Sequence, residues 1–293
     1  MNDIINKYLN YIKTNRNLSR NTIEAYKLDL KKYMKYLNDK NIDFLHVNEN
    51  DIFSFLIYLE KNNTSVSSIS RIISSIKSFH EFLFLNKLCE SNPARKLKKP
   101  KIQRSKIDIL TEQEVDLLLN SPDTNTIKGI RDKAILEMFY GTGMKVSELV
   151  ELNLDDLNLD MEYIICKSNK GNRVIPLSSI AKKYIIKYLY ESRLKIVKNE
   201  NQKSLFLNSK GEKFTRQGLW KIIKRYTEKL NLNKNVTPTI LRHSFAIHLL
   251  NKGANISVVG KILGNTNLNT LQGYLNYLNK NIRQELKEKH PRG

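Results

Sequence analysis

The sequence predicts a mainly α-helical protein with one small antiparallel β-sheet, arranged as a helical N-terminal domain and a mixed α/β C-terminal domain. Three observations predict it. Residues 1–90 repeat apolar side chains at helical spacing. A basic stretch with two prolines, NPARKLKKPKIQRSK at 92–106, then breaks the pattern. Further on, EYIIC and RVIPL flank SNKGN and read as a β-hairpin with a Gly-containing turn, set among more helices.

In the first ninety residues, Asn21 and Glu24 have capping-box spacing, and a helix follows through Ile23, Tyr26, Leu30, Tyr33, Met34 and Leu37. Asp51 is placed to cap a second helix carrying Phe53, Phe55, Leu56 and Leu59. A third runs through Ile69, Ile72, Ile73, Ile76, Phe79 and Leu83. Its Ser-rich start leaves hydroxyls, Arg71 and Lys77 on the outer face. That composition suits phosphate contacts and an ordinary solvated face equally well.

The stretch at 92–106 carries seven Lys or Arg between Arg95 and Lys106 with no acid among them. Charge repulsion extends such a segment. It reads as an interdomain linker whose Arg95, Lys96, Lys98, Lys99, Lys101 and Arg104 could lie along a duplex backbone. The expected division is therefore residues 1–91, a basic linker at 92–107, and residues 108–293.

The second domain opens at Thr111, with capping-box spacing to Glu114. Helices are expected at about Ile127–Tyr140, Lys145–Leu152, Ser178–Lys198, Thr215–Leu230, Pro238–Lys252, Ile256–Leu263 and Asn269–Lys289, with Gly141-Thr142-Gly143 ending the first.

Composition narrows the functional class. The 50 Lys and Arg against 29 Asp and Glu give a formal net charge of +21, which favours a partner with dense negative charge, nucleic acid ahead of an anionic membrane surface. No apolar run reaches the ~18–20 residues that span a bilayer. Cys89 and Cys166 are the two cysteines, too few and too far apart for a disulfide scaffold or a zinc site. A cytoplasmic setting, no metal and no membrane partner are expected.

The order of motifs carries a more specific signal. RDKAILEMFYGTGMKVSELVELNLDD is followed by NKGNRVIPL, then LRHSFAIHLLNKGANISVVGKILGN, then a late tyrosine. Together with LSRNTIEAYKLDL near the N-terminus, this series resembles the tyrosine recombinase (phage integrase) family, the Xer-type recombinases above all. The resemblance spans nearly the whole chain. It implies a helical core-DNA-binding domain joined to a tyrosine-recombinase catalytic domain. It also implies site-specific DNA recombination or integration through a 3′-phosphotyrosyl intermediate, without cofactor. Double-stranded DNA is the implied partner, and the active assembly would be a homo-oligomer or a hetero-oligomer with a related recombinase, a tetrameric synapse. The charged tail NKNIRQELKEKH would be exchanged between neighbours.

By the same resemblance, Tyr274 is the nucleophile, Arg242 the second phosphate-binding arginine and Lys170 the acid that protonates the leaving oxygen. Three positions depart from the family pattern. Lys145 stands where the first arginine belongs, keeping the charge but losing the planar fork. Thr239 and Asn265 stand where histidines belong, and neither an alcohol nor an amide shuttles protons near neutral pH. His243 and His248 fall outside the family's catalytic pair and are expected to pack the helix. Cleavage is therefore expected to be slow. Two other readings are a catalytically inactive DNA-binding relative that occupies a site or partners an active recombinase, and a basic protein that coats nucleic acid without sequence preference.

Overall fold

A computed structural model describes residues 2–15, 18, 20–100, 107–168, 171–230, 232, 234, 236–264 and 271–278. The chain falls into two compact units, Met1–Arg104 and Ser105–Gly293.

The first unit is helical. It contains α1 (Asn2–Asn15), α2 (Arg20–Asp39), α3 (Glu49–Lys61) and α4 (Val66–Leu85). Helix α2 begins ahead of Asn21, so that residue lies inside the first turn rather than capping it. The cap of α3 is Asn48: its side chain accepts from the Asn50 and Asp51 N–H groups while Asp51 returns a bond to the Asn48 N–H. Asp51 is thus the third helical residue of a capping box, one turn later than expected. The core joins Tyr8, edge-on to Phe79 at 5.4 Å, with Tyr33, Phe55, Ile76 and Leu83. Within it the Tyr33 hydroxyl and His80 Nε2 lie 3.0 Å apart.

The start of the basic stretch packs on this unit. Ala94 and Leu97 are buried in its core. Lys77 Nζ donates to the carbonyls of Arg95 and Leu97, each at 3.0 Å. Arg71 grips the buried Asp29 with two bonds, at 3.0 and 2.8 Å. Arg95, Lys96, Lys98 and Lys99 remain exposed. Lys101 and Arg104 lie outside the described residues.

The second unit has α5 (Glu112–Asn120), α6 (Ile127–Thr142), α7 (Val146–Glu151), β1 (Leu157–Asn158), β2 (Tyr163–Cys166), β3 (Arg173–Pro176) and α8 (Ser179–Lys187). A π-helical turn at Tyr188–Arg193, α9 (Leu194–Ile196), α10 (Arg216–Lys229), α11 (Pro238–Asn251) and α12 (Ile256–Leu263) follow, with a further helix over 271–278. The expected hairpin is present, Ile164 opposite Ile175, and β1 adds a third antiparallel strand that two residues of alternation could not announce. Thr111 and Glu114 form the expected capping box.

Helix α6 is buried on nearly every side, including Arg131, Asp132, Lys133 and Glu137. Buried charges persist only when paired. Asp132 accepts from Arg131, from Arg225 and from the Tyr226 hydroxyl, and Lys133 pairs with Glu137 at 2.7 Å. A central helix held this way gives its C-terminal end, where the candidate site begins, a fixed position.

Candidate active site and the family of the chain

Three helix ends build the site. Helix α6 stops at Gly143, which takes the left-handed conformation at φ 57°. A side chain there would be strained and would also strike Phe245, 2.3 Å from the added carbon. Helix α12 stops in the same way at Gly264, φ 60°. The carbonyls left unpaired at such ends carry partial negative charge. Arg242 satisfies both ends: Nη1 donates to the Gly143 carbonyl and Nη2 to the Leu263 carbonyl, each at 2.7 Å. Its guanidinium is buried in α11, with a pKa pulled below the ordinary arginine value by burial.

Glu148 stands beside it. Its Oε2 is 4.0 Å from Arg242 Nη1 and accepts the Lys145 N–H at 2.8 Å, so Lys145 caps α7 through its backbone. Arg173, the first residue of β3, binds both Glu148 oxygens and gives its Nε–H to the Ile262 carbonyl at 2.7 Å. Burial pushes the Glu148 carboxyl up, but Arg173 and the Lys145 N–H outweigh it and hold the group below the usual carboxylate range. Buried Cys166 lies against the same carboxylate, and burial together with that charge pushes its thiol up to about 11. The Lys145 ammonium is only 3.8 Å from Glu148 Oε1 yet half-exposed, so it can reach an anion arriving from solvent.

Tyr274, on the helix over 271–278, is fully buried. It packs with Phe245, Val259 and Leu263, and its hydroxyl is 2.9 Å from His243 Nδ1. Burial pushes the Tyr274 phenol up, and the Arg242 charge offsets part of that rise. Burial pushes the His243 imidazole down, and Arg242 adds to the effect.

Of the residues expected from sequence, Arg242, Lys145 and Tyr274 sit around one small set of helix ends. Thr239 is exposed in the first turn of α11, at the rim of a groove of about 620 Å³ lined also by Val146, Arg216 and Trp220. Lys170 and Asn265 lie outside the described residues. On either side of Lys170, Ser168 and Gly171 are joined by two hydrogen bonds, at 2.8 and 3.0 Å. Glu148, Arg173 and His243 belong to this arrangement and were not expected in it. His243 adjoins Arg242, but neighbouring helical residues point about 100° apart, and only the fold brings Tyr274 onto its ring. His248, by contrast, packs as expected and bonds the Tyr140 hydroxyl at 2.9 Å.

Among the described residues no group of three or more His, Cys, Asp or Glu is arranged to hold a metal ion. No helix among them is long and apolar enough to cross a membrane. The arrangement places the buried Arg242 guanidinium and the His243 ring beside a buried tyrosine, Tyr274.

Residues 108–281 match the Phage integrase family, and residues 5–87 match the N-terminal SAM-like domain of phage integrases. The chain is 39% identical over 295 residues to tyrosine recombinase XerD of Staphylococcus epidermidis, covering all of both chains. It is 39% identical over 293 residues to XerD of Oceanobacillus iheyensis, covering 98% of each. Among solved structures, XerH recombinase bound to a palindromic difH substrate superposes with a TM-score of 0.77 at 20% identity, covering 97% of this chain and 85% of that one. The XerA recombinase aligns over 99% of this chain and 100% of that one, at a TM-score of 0.55 and 25% identity. The chain belongs to the phage integrase family of tyrosine recombinases and is Xer-like.

Proposed function

We propose that this protein binds duplex DNA at a defined site and exchanges strands there through a covalent 3′-phosphotyrosyl intermediate on Tyr274, at a rate lowered by Lys145, Thr239 and Asn265. The observation that carries the reading is the pair formed by the Tyr274 hydroxyl and His243, one residue from the buried Arg242. A buried cation beside a buried phenol is the electrostatic environment an attacking tyrosinate and a pentavalent phosphate both require. In this reading Arg242 and Lys145 hold the non-bridging oxygens and Lys170 protonates the leaving 5′-oxygen.

Residues 1–91 act as the core-DNA-binding domain, 92–107 as a basic linker and 108–293 as the catalytic domain. The exposed Arg95, Lys96, Lys98 and Lys99 contact phosphates together with Arg71, Lys101 and Arg104, while Lys77 holds the backbone that carries them. The DNA bound by XerH supports duplex DNA as the partner. Paired half-sites imply an oligomer, made of this chain or of this chain with a related recombinase, and a tetramer when two sites synapse.

A second reading, a DNA-binding relative without cleavage activity, is favoured by one observation: Thr239 offers the site an exposed hydroxyl where the reaction wants a proton carrier. The deciding experiment uses a duplex that the protein enriches from a random pool, nicked so that cleaved product escapes. A covalent complex lost in Tyr274→Phe supports the enzyme. A sharp footprint without covalent complex supports the second reading, and equal affinity for every sequence defeats both.

A further inference from the structure

We propose that His243 is the proton acceptor for Tyr274, doing in this chain what neither Thr239 nor Asn265 can do. The inference rests on the recombinase reading above and extends it to a residue outside the six positions carried over from the family.

The geometry comes first. His243 Nδ1 is 2.9 Å from the Tyr274 hydroxyl, the distance a general base needs. The rings meet edge-on, 69° between planes, with centroids 5.6 Å apart. Among the described residues this ring is the hydrogen-bond partner of the Tyr274 hydroxyl. Among the described residues, the charged and titratable groups bearing on the pair are Arg242, on the same helix, and the two partners themselves. Phe245, Val259 and Leu263, packed around Tyr274, are apolar. Burial raises the phenol and lowers the imidazole, so at rest the proton stays on Tyr274 and His243 is neutral; the proposal requires the tautomer in which Nδ1 carries no proton and accepts the bond.

Substrate changes that balance. A phosphodiester resting on Arg242 offsets the positive charge that disfavours imidazolium. The acceptor thus becomes more basic only when there is something to attack. Tyr274 Oη then bonds to phosphorus, and its proton passes to His243 Nδ1. The bond from phosphorus to the 5′-oxygen breaks, and that oxygen takes a proton from Lys170. In rejoining, the 5′-hydroxyl attacks phosphorus and returns its proton to the neutral Lys170 amine, the phosphotyrosyl bond breaks, and imidazolium returns its proton to the departing phenolate.

The test uses the full chain and the enriched, nicked duplex. His243→Asn puts an amide oxygen close to the position of Nδ1, so it can keep the hydrogen bond to Tyr274 but cannot take the proton. Covalent complex formation should slow by about 10²–10⁴-fold, with footprint and melting temperature retained. The wild-type rate should fall as acid protonates His243, and the variant should lack that limb. A duplex with sulfur in place of the 5′-bridging oxygen, a leaving group needing no acid, should restore Lys170→Ala but not His243→Asn. Nitrogen-15 NMR of the DNA-free protein should show His243 Nδ1 unprotonated, with its signal displaced in Tyr274→Phe. That readout stands even if His243→Asn folds poorly. Wild-type speed in His243→Asn, or a protonated Nδ1 at rest, overturns the inference while leaving the recombinase reading intact. A faster rate also overturns it and makes His243 a latch on Tyr274. If the wild type forms no covalent complex, the recombinase reading fails and this inference fails with it.

Discussion

Arg173 and Glu148 are joined by a two-pronged ion pair, Nη1 to Oε1 at 3.0 Å and Nη2 to Oε2 at 2.8 Å. The pair ties the hairpin strand β3 to helix α7, and the Arg173 Nε–H bond to Ile262 ties both to α12. It also neutralises a buried carboxylate that lies 4.0 Å from Arg242.

Removing one partner should destabilise this joint. Arg173→Gln leaves Glu148 buried without its cation, and such a break costs about 3–5 kcal/mol. Arg173→Lys keeps the charge but loses the fork, for a smaller cost of about 1–2 kcal/mol. Urea denaturation of the second unit's transition measures both. Equal losses would mean that charge, not geometry, is irrelevant at this joint.

Lys145 presents a point charge where the family pattern has a fork, and it is already shared with Glu148 at 3.8 Å. Lys145→Arg, Thr239→His and Asn265→His should each raise the rate of covalent complex formation, and the triple variant should raise it by about 10²-fold or more. Tyr274→Phe in that background should abolish it. A wild type already as fast as the triple variant would show that these three positions do not limit the reaction.

DNA binding should weaken steeply with salt. Each phosphate neutralised contributes about −0.9 to the slope of log affinity against log salt. Replacing Lys98 and Lys99 with Gln should make that slope shallower by nearly two such increments. An unchanged slope would remove these exposed lysines from the interface.

The first unit should lose stability in mild acid. Burial pushes His80 from 6.5 down to about 4, so the folded state refuses a proton that the unfolded state accepts. Stability is fully present above the ordinary value, falls as pH drops from 6.5 towards 4, and levels below that. The shift corresponds to about 3 kcal/mol. His80→Gln should remove most of this dependence in thermal melts across that range. A variant with the same acid sensitivity would move the effect to another group.

The fold class, the family and most of the elements could be read from the chain itself, but helix α1 and strand β1 were not singled out. Helical spacing from Ile69 to Leu83, the alternation around the Lys170 turn and the motif order to Tyr274 are local records of which faces must be buried. Boundaries were less legible: the cap at Asn48 and the two-residue strand β1 depend on a few hydrogen bonds whose partners compete within three residues. The site divides along the same line. Arg242, Lys145 and Tyr274 are named by their motifs. That Glu148 is claimed by Arg173, that Arg242 seals two helix ends, and that Tyr274 rests on His243 were decided by tertiary structure. These contacts join residues 21 to 99 positions apart, and no local pattern encodes which distant partner a buried charge or phenol will find. Their pairing is enforced instead by the cost of leaving any of these groups buried and unsatisfied.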